Sequence, residues 1–329
     1  MKKMLALLLA LVMVLSLAAC ASSQPAVTDA AASTETAETT ETTEPAAEES
    51  AEAPAESGKT YTVGVCQLVQ HEALDAATQG FVDALKEELG DNYEPLFFDL
   101  TDDKAIKDEA ARVAQLVGHQ GIQLLVNNGG ISGGDAIMHV SIDYMKHIYD
   151  VNTLGLLRVS QAFFPLLKIS SANKSVQTKI VNISSGAGRA VRPYLGPYAA
   201  TKHAVEAISD AMRRELMRYG IDVIIIEPGP IQTGIWDKNK AKDGNFKYQD
   251  TDYATLFTKI DKGVEQMEHN ALPASKVGEL VLKAYTKKKP RTRYLIAPSQ
   301  WMFWLAIHVL SDRFLDNMFK KQFDKIENS

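Results

Sequence analysis

The stretch KIVNISSGAGRAVRPYLGPYAATK, residues 179–202, runs from a strand pattern through a tight turn into a helical pattern. Apolar, β-branched residues predict the strand at 179–184. On the helix that follows, Tyr198 and Lys202 are four positions apart and therefore point to the same side. Ser185 ends the strand, thirteen residues before Tyr198. The stretch thus predicts a hydroxyl, a phenol and an ammonium group at one junction between a strand and a helix.

These three groups suit acid–base chemistry. A free tyrosine loses its proton only near about pH 10, which is too high for proton transfer at neutral pH. A fixed ammonium group beside the phenol favours the phenolate, so we expect Lys202 to lower the pKa of Tyr198. Ser185 adds a hydroxyl that can hold a carbonyl oxygen against the phenol. Because Tyr-x-x-x-Lys pairs also occur by chance on helix surfaces, this interpretation depends on the neighbouring motifs.

Strand and helix patterns alternate along most of the chain. The predicted strands are 61–66, 94–99, 122–127, 179–184, 221–226 and 293–297, and the predicted helices are 72–89, 103–117, 136–168 and 198–219. This alternation predicts an α/β fold with a doubly wound parallel sheet and helices on both of its faces.

Four more motifs accompany the serine, the tyrosine and the lysine. They are a strand ending in an acid (Leu96–Leu100), a buried strand running into a tight turn (Leu124–Gly130), a helical segment with an asparagine (Val151–Gly155) and a loop closing a strand (Pro228–Thr233). In their order and spacing, the motifs of residues 93–298 resemble the short-chain dehydrogenase/reductase family. The resemblance implies a Rossmann-type sheet and an NAD(P)-dependent oxidoreductase that oxidises an alcohol or reduces a carbonyl compound, with NAD and NADP both left open.

The resemblance also implies roles for individual residues. Tyr198 would be the acid and base, Ser185 would orient the substrate carbonyl, and Lys202 would bind the nicotinamide ribose. Asn152 would hold a water that relays protons towards Lys202. The implied cofactor-binding residues are Asp99, Leu100, Asn127, Tyr198, Lys202, Pro228, Gly229, Ile231 and Thr233. Of these, Asp99 would contact the adenine and Asn127 the adenosine side, whereas the loop from Pro228 would close over the nicotinamide amide.

The first strand is not followed by the glycine-rich turn that this family places beneath the cofactor pyrophosphate. Glycines serve there because the backbone must approach the phosphates closely. No glycine occurs between Gly64 and Gly80, and Glu72 and Asp75 place negative charge in the first helical turn. Only one strand fits between the first helix and Asp99. The sequence therefore predicts that the first βαβ unit is replaced or truncated, and that cofactor binding is weak.

The N-terminus predicts export. Lys2 and Lys3 precede an apolar run, and residues 17–20 read Leu-Ala-Ala-Cys, which resembles the cleavage box of bacterial lipoproteins. Residues 1–20 would then be a signal peptide and Cys20 the lipidated residue that anchors the protein to the bacterial cell membrane. An ordinary secretory signal is one alternative, and an uncleaved transmembrane helix is another, although the apolar run is short for a bilayer. A dehydrogenase would instead be expected in the cytoplasm, where its cofactor pool is.

The next segment, 21–58, has the composition of a disordered acidic linker. It contains nine acids and neither lysine nor arginine, so it buries too little apolar surface to fold. Removing those acids and the two N-terminal lysines changes the net charge from −6 to about +1 for residues 59–329. This near-neutral balance argues against nucleic-acid binding. The seven histidines show no metal-ligand spacing, so no metal site is expected.

Residues 59–92 resemble the opening strand and helix of an exported solute-binding protein of an ABC importer. Together with the lipoprotein box, they give the chain a chimeric appearance, with a join near Asn92 and Tyr93. Two alternatives to a dehydrogenase follow: a lipid-anchored component of an importer, and a fusion without function.

The C-terminal residues 299–329 predict an amphipathic helical tail. Residues 301–307 read Trp-Met-Phe-Trp-Leu-Ala-Ile and follow a basic segment. Such a tail can lie over a substrate pocket or join the subunits of a homo-oligomer. It can also lie on a membrane surface or pack into the core, and the sequence leaves these alternatives open.

Overall fold

The computed structural model describes residues 63–67, 82–87, 89–90, 93–232, 248, 251, 253, 271–298 and 300–327. Cys20, Thr233, the predicted signal peptide and the acidic linker 21–58 lie outside the described residues. No helix among the described residues combines the length and the apolar character that a membrane crossing requires.

Six parallel strands form one sheet, which confirms the predicted doubly wound α/β fold. The strands of the sheet are β1 (Val63–Gln67), β2 (Tyr93–Phe97), β3 (Leu124–Asn127), β4 (Thr178–Ile183), β5 (Ile221–Pro228) and β8 (Arg293–Ile296). Their spatial order is β2-β1-β3-β4-β5-β8. A second sheet contains the short strands β6 (Ile231–Gln232) and β7 (Leu272–Pro273), which pair in parallel.

β1 lies between β2 and β3, with Val63 opposite both Tyr93 and Leu124. The segment that resembles a solute-binding protein therefore contributes an inner strand to the same sheet as the dehydrogenase-like motifs. A single strand, β2, lies between Gly90 and Asp99, and it pairs directly with β1. Helical residues 82–87 belong to the predicted helix at 72–89, whose first part lies outside the described residues.

Helices cover both faces of the sheet. After β2, the described α-helices are α1 (Asp103–Val117), α2 (Ile142–Tyr149), α3 (Leu156–Ala172), α4 (Gly196–Leu216), α5 (Ser275–Thr286), α6 (Gln300–His308) and α7 (Asp312–Glu327). Along β3 the side chains alternate: Leu124 and Val126 face one apolar cluster, whereas Leu125 faces the other. This two-residue period divides the core between the two faces.

The predicted helix at 136–168 differs from the observed one at both ends. It starts later because the Ser141 side chain accepts a hydrogen bond from Tyr144 N and caps α2. It ends later, at Ala172, because the buried Ser170 hydroxyl bonds to Thr178 and the Ser171 hydroxyl donates to a carbonyl of its own helix. The segment after 168 that the sequence predicts as a surface loop is thus partly helical.

Lys179 is a fully buried cation in β4, with no exposed surface. Its Nζ donates to the carbonyl oxygens of Ala284 (3.2 Å), Tyr285 and Lys287 (2.7 Å), at the end of α5. Helix ends leave such carbonyls without intrahelical partners. Lys179 therefore joins the centre of the sheet to the C-terminal end of α5.

Candidate active site

The carboxyl ends of four parallel strands bring the predicted site residues to one edge of the sheet. Asp99 follows β2, Asn127 ends β3, Ser185 follows β4 and Pro228 ends β5. In open α/β sheets, this edge is where ligands bind.

Tyr198, Ser185 and Lys202 come together at the junction between β4 and α4. A side-chain hydrogen bond joins Tyr198 to Ser185. Lys202 is buried, its Nζ lies 5.8 Å from the centre of the Tyr198 ring, and it donates to the carbonyl oxygen of Ile183 at 3.0 Å. The three groups that the sequence singles out thus form one cluster.

The proton affinities in this cluster differ from the expectation for Tyr198. Burial raises the pKa of the Tyr198 phenol above its usual value, and the hydrogen bond to Ser185 acts in the opposite direction. The expected lowering by Lys202 is therefore wrong for this structure, in which desolvation dominates. Burial also lowers the pKa of Lys202 to about 8, against an opposing effect of the Glu206 charge. At neutral pH the site holds a protonated phenol beside an ammonium group.

Asn152 is positioned by a π-helical segment, Asp150–Gly155, between α2 and α3. Its side chain accepts a hydrogen bond from Ile131 N (2.7 Å) and donates to Ile131 O (2.8 Å) and Thr201 Oγ1 (3.1 Å). Asn152 therefore fixes the turn after β3 to α4, one residue from Lys202. The water relay through Asn152 stays a prediction, because these contacts show a positioning role for its side chain.

Two glycines allow the segments around the site to pack closely. A Cβ on Gly130 would lie 3.1 Å from Asn152 Oδ1 and 3.6 Å from Lys202 Nζ. A Cβ on Gly188, in the turn after Ser185, would lie 2.8 Å from the Ser184 hydroxyl and 3.0 Å from the Lys202 carbonyl oxygen. A side chain at Gly130 would fill the space beside Lys202, and one at Gly188 would push the serine turn away from α4.

The residues predicted on the adenosine side are held by local contacts. Asp99 is exposed and accepts hydrogen bonds from the backbone and hydroxyl of Thr101 at 2.8 and 2.7 Å. The Leu100 side chain is in the core, and its carbonyl accepts a hydrogen bond from Arg158 at 3.2 Å. Asp99 thus presents a carboxylate at the edge, whereas Leu100 can meet a ligand only through its backbone.

Asn127 lies in the interior of the sheet rather than on an open surface. Its side-chain nitrogen donates to Asn182 Oδ1 (2.7 Å) and Ser160 Oγ (3.0 Å), and its buried Oδ1 has no hydrogen-bond partner among the described residues. Asn182 donates in turn to Ser209 on α4 at 2.8 Å. The Asn127 side chain therefore ties β3 to β4 and α3, and Asn182 continues this network to α4.

Of the residues predicted in the loop that closes β5, Pro228 lies beside the serine turn. The Pro228 carbonyl accepts a hydrogen bond from Ser185 Oγ at 3.4 Å. Gly229 N donates to Ile296 O at 2.7 Å, and a Cβ on Gly229 would lie 2.7 Å from the Ala297 side chain. The Ile231 side chain faces the apolar core.

Two residues near the site are absent from the sequence-based set. Phe303 on α6 reaches the turn after Ser185, where its ring lies 3.0 Å from the position that a Cβ on Gly186 would take. Glu206, buried and one helical turn after Lys202, was detectable from the four-residue spacing alone. No such signal marks Phe303, because its contact joins positions more than a hundred residues apart. Among the described residues, no group of acids, histidines or cysteines has the arrangement of a metal site.

Comparisons with known proteins agree with this geometry. The family model described as short chain dehydrogenase matches residues 48–244, a range that includes the segment resembling a solute-binding protein. The NADPH-dependent 3-dehydrocapnine reductase of Ornithobacterium rhinotracheale is 42% identical over 241 residues, which cover 73% of this chain and 84% of the relative. A probable short-chain type dehydrogenase/reductase, VdlC, of Helicobacter pylori is 31% identical, with coverages of 68% and 78%.

Solved structures show the same fold. A short chain dehydrogenase/reductase from Burkholderia phymatum, in complex with NAD, superposes with a TM-score of 0.58 at 19% identity and covers 75% of this chain and 94% of its own. Neither the family match nor these similar proteins support a component of an ABC importer. The family model matches more than half of the chain, and a reductase is 42% identical to it. The protein is therefore an oxidoreductase of the short-chain dehydrogenase/reductase family.

Proposed function

We propose that this protein reduces a ketone to a secondary alcohol with NADPH, and that Tyr198 supplies the proton. The observation that carries the proposal is the protonated Tyr198 phenol, hydrogen-bonded to Ser185 beside the Lys202 ammonium group. A raised phenol pKa keeps Tyr198 protonated at neutral pH, which is the state that the reductive direction requires at its start. The 42% identical relative is named as an NADPH-dependent reductase, which supports both the cofactor and the direction.

The residues around Lys202 fit the ribose and nicotinamide part of a dinucleotide. Gly130 leaves space beside Lys202 Nζ that a side chain would fill, and the ammonium group can donate to ribose hydroxyls. Pro228 and Gly229 border the same edge of the sheet. When bound, the reduced nicotinamide supplies the hydride.

The protein's own groups divide the remaining work. The hydroxyls of Ser185 and Tyr198 hold the substrate carbonyl oxygen between them. As the carbonyl carbon gains a hydride, negative charge develops on this oxygen, and Tyr198 neutralises it by transferring its phenolic proton. The tyrosine is left as a phenolate, which the positive charge of Lys202 stabilises before solvent returns the proton. Asn152 holds the turn after β3 against the helix that carries Lys202, through its bonds to Ile131 and Thr201.

We also propose that the cofactor is bound weakly. The sequence between Gly64 and Gly80 lacks the glycines that let a backbone approach pyrophosphate, and residues 68–81 lie outside the described part of the chain. Charge-assisted hydrogen bonds to phosphate contribute roughly 1.5–3 kcal/mol each, so losing several would weaken binding by powers of ten. A dissociation constant in the millimolar range is expected for NADPH and NADH.

Two measurements on the purified full-length protein test these proposals. Oxidation of NADPH is followed with 3-dehydrocapnine and with simple linear ketones, and both nucleotides are titrated by calorimetry. Turnover that requires a ketone and is faster with NADPH than with NADH supports the proposed reaction. Absence of turnover at saturating NADPH would refute it. Micromolar binding would show that the turn after β1 forms a full phosphate site, and the proposal of weak binding would then be wrong.

A further inference from the structure

Glu206 is a buried carboxylate on α4, four residues after Lys202, with 6% of its surface exposed. Its Oε2 accepts a hydrogen bond from Arg293 Nε at 2.9 Å. Its other oxygen, Oε1, is buried and has no hydrogen-bond partner among the described residues. An unpaired carboxylate oxygen in the interior is costly unless a nearby positive charge compensates it. Lys202, also buried, lies one helical turn away on the same side of α4.

Arg293, in the edge strand β8, holds Glu206 in place. Its guanidinium also pairs with Asp210 (3.0 Å) on α4 and contacts Glu227 (3.5 Å), the residue before Pro228 on β5. Arg189, in the loop after the serine turn, contacts Glu227 at 3.3 Å. This ion network links β5 and β8 to α4, at the helical turn that follows Lys202.

Charged and titratable residues also lie on α4 and on the elements packed against it. On the packed elements they are Asp143, Tyr144, Lys146, His147 and Tyr149 (α2), Asp150 (the π-helical segment), Asp222 and Glu227 (β5) and Arg218 and Tyr219 (the turn after α4), with Arg189 just after the serine turn. On α4 itself they are Tyr198, His203, Asp210, Arg213, Arg214 and Glu215, and Arg293 of β8 reaches α4 through Glu206 and Asp210. Asp150 pairs with Arg158, and Asp210 with Arg213 as well as Arg293. Among the described residues, Glu206 is the group whose charge raises the pKa of Lys202.

We propose that Glu206 is a positioning residue for Lys202, whose free carboxylate oxygen keeps the buried lysine in its ammonium form. The predicted effect on catalysis rests on the proposed function, in which the positive charge of Lys202 stabilises the Tyr198 phenolate. The predicted effect of Glu206 on the protonation of Lys202 does not depend on turnover. Without the negative charge of Glu206, burial alone would act on Lys202, and the ammonium group would lose its proton at lower pH.

The test compares Glu206→Gln with Asp210→Asn, a matched control that removes another carboxylate of the same Arg293 network but lies two turns from Lys202. In Glu206→Gln, the alkaline loss of kcat/KM for ketone reduction should move to lower pH. Because a neighbouring charge shifts a pKa by about one unit or more, kcat/KM should be about tenfold below wild type near pH 9 and nearly equal to it near pH 6. Asp210→Asn should keep the wild-type pH profile, whatever it costs in stability.

A second readout does not need activity. The Cε resonance of Lys202 is titrated by NMR in protein labelled with 13C-lysine and is assigned by its absence in Lys202→Arg. The midpoint should fall in Glu206→Gln and stay in place in Asp210→Asn. Glu206→Asp, which keeps the charge, should restore most of the midpoint and serves if the glutamine variant does not fold. Equal shifts in Glu206→Gln and Asp210→Asn, or no shift in Glu206→Gln, would overturn the inference. A shifted midpoint in a protein without reductase turnover would sustain it while refuting the proposed function.

Discussion

The side chains of Ser185 and Tyr198 are hydrogen-bonded to each other across the junction between β4 and α4. Ser185 also caps the short turn 186–188, where its hydroxyl accepts a hydrogen bond from Ala187 N at 3.1 Å. The backbone that fixes the serine thus also fixes the distance to the tyrosine, thirteen residues later. This arrangement prepares two hydroxyls to hold one carbonyl oxygen.

Replacing Tyr198 with phenylalanine should remove the proton donor and keep the ring. Since general acid–base catalysis contributes on the order of 10²–10⁴ in rate, kcat for ketone reduction should fall within that range. The measurement is the steady-state rate of NADPH oxidation at saturating ketone. Tyr219→Phe, just beyond the far end of the same helix, is the matched control and should retain the wild-type kcat. A Tyr198→Phe protein with more than half of the wild-type kcat would show that another group donates the proton.

The rate of reduction should decline as the pH rises through about 8, because burial lowers the pKa of Lys202 to about 8. Below that pH, Lys202 is an ammonium group and supports the phenolate of Tyr198. Above it, the positive charge is lost, so kcat/KM should fall by about tenfold per pH unit. A pH–rate profile measured with NADPH and one ketone checks this. A profile that stays flat to about pH 10 would contradict the role given to Lys202.

How far the sequence predicts this protein depends on whether a contact is local. Tyr198 and Lys202 share a helix, and the strand ends of a parallel sheet meet at one edge, so the catalytic cluster follows from spacing and topology. The raised pKa of Tyr198 does not follow, because it depends on burial by elements distant in sequence. The same holds for Asn127, whose bonds to Ser160 and Asn182 place it inside the sheet.

Replacing Phe303 with alanine should weaken substrate binding more than it slows the chemical step. The ring packs on Gly186, next to Ser185, so it borders the place where the carbonyl is held. Losing most of an aromatic contact costs about 1.5–3 kcal/mol, which corresponds to a rise in KM of roughly tenfold or more. The control is Trp304→Ala on the same helix. Trp304 is 55% exposed, so this change should leave KM unchanged. Equal effects of the two changes would indicate a general role for α6 in stability.

Replacing Lys179 with methionine should destabilise the fold without touching the site. Lys179 donates to three carbonyl oxygens at the end of α5, and methionine keeps much of its volume but donates no hydrogen bond. Because acceptors left unpaired in the interior cost about 1–3 kcal/mol each, before relaxation and water entry, the free energy of unfolding should fall by about 3 kcal/mol. The control is Lys283→Met, in the exposed last turn of α5, where loss of a charge near the helix end costs about 0.3–1 kcal/mol. Urea unfolding at neutral pH, followed by circular dichroism, measures both. A Lys179→Met protein as stable as Lys283→Met would show that water satisfies these carbonyls and that the buried cation does not hold α5 to the sheet.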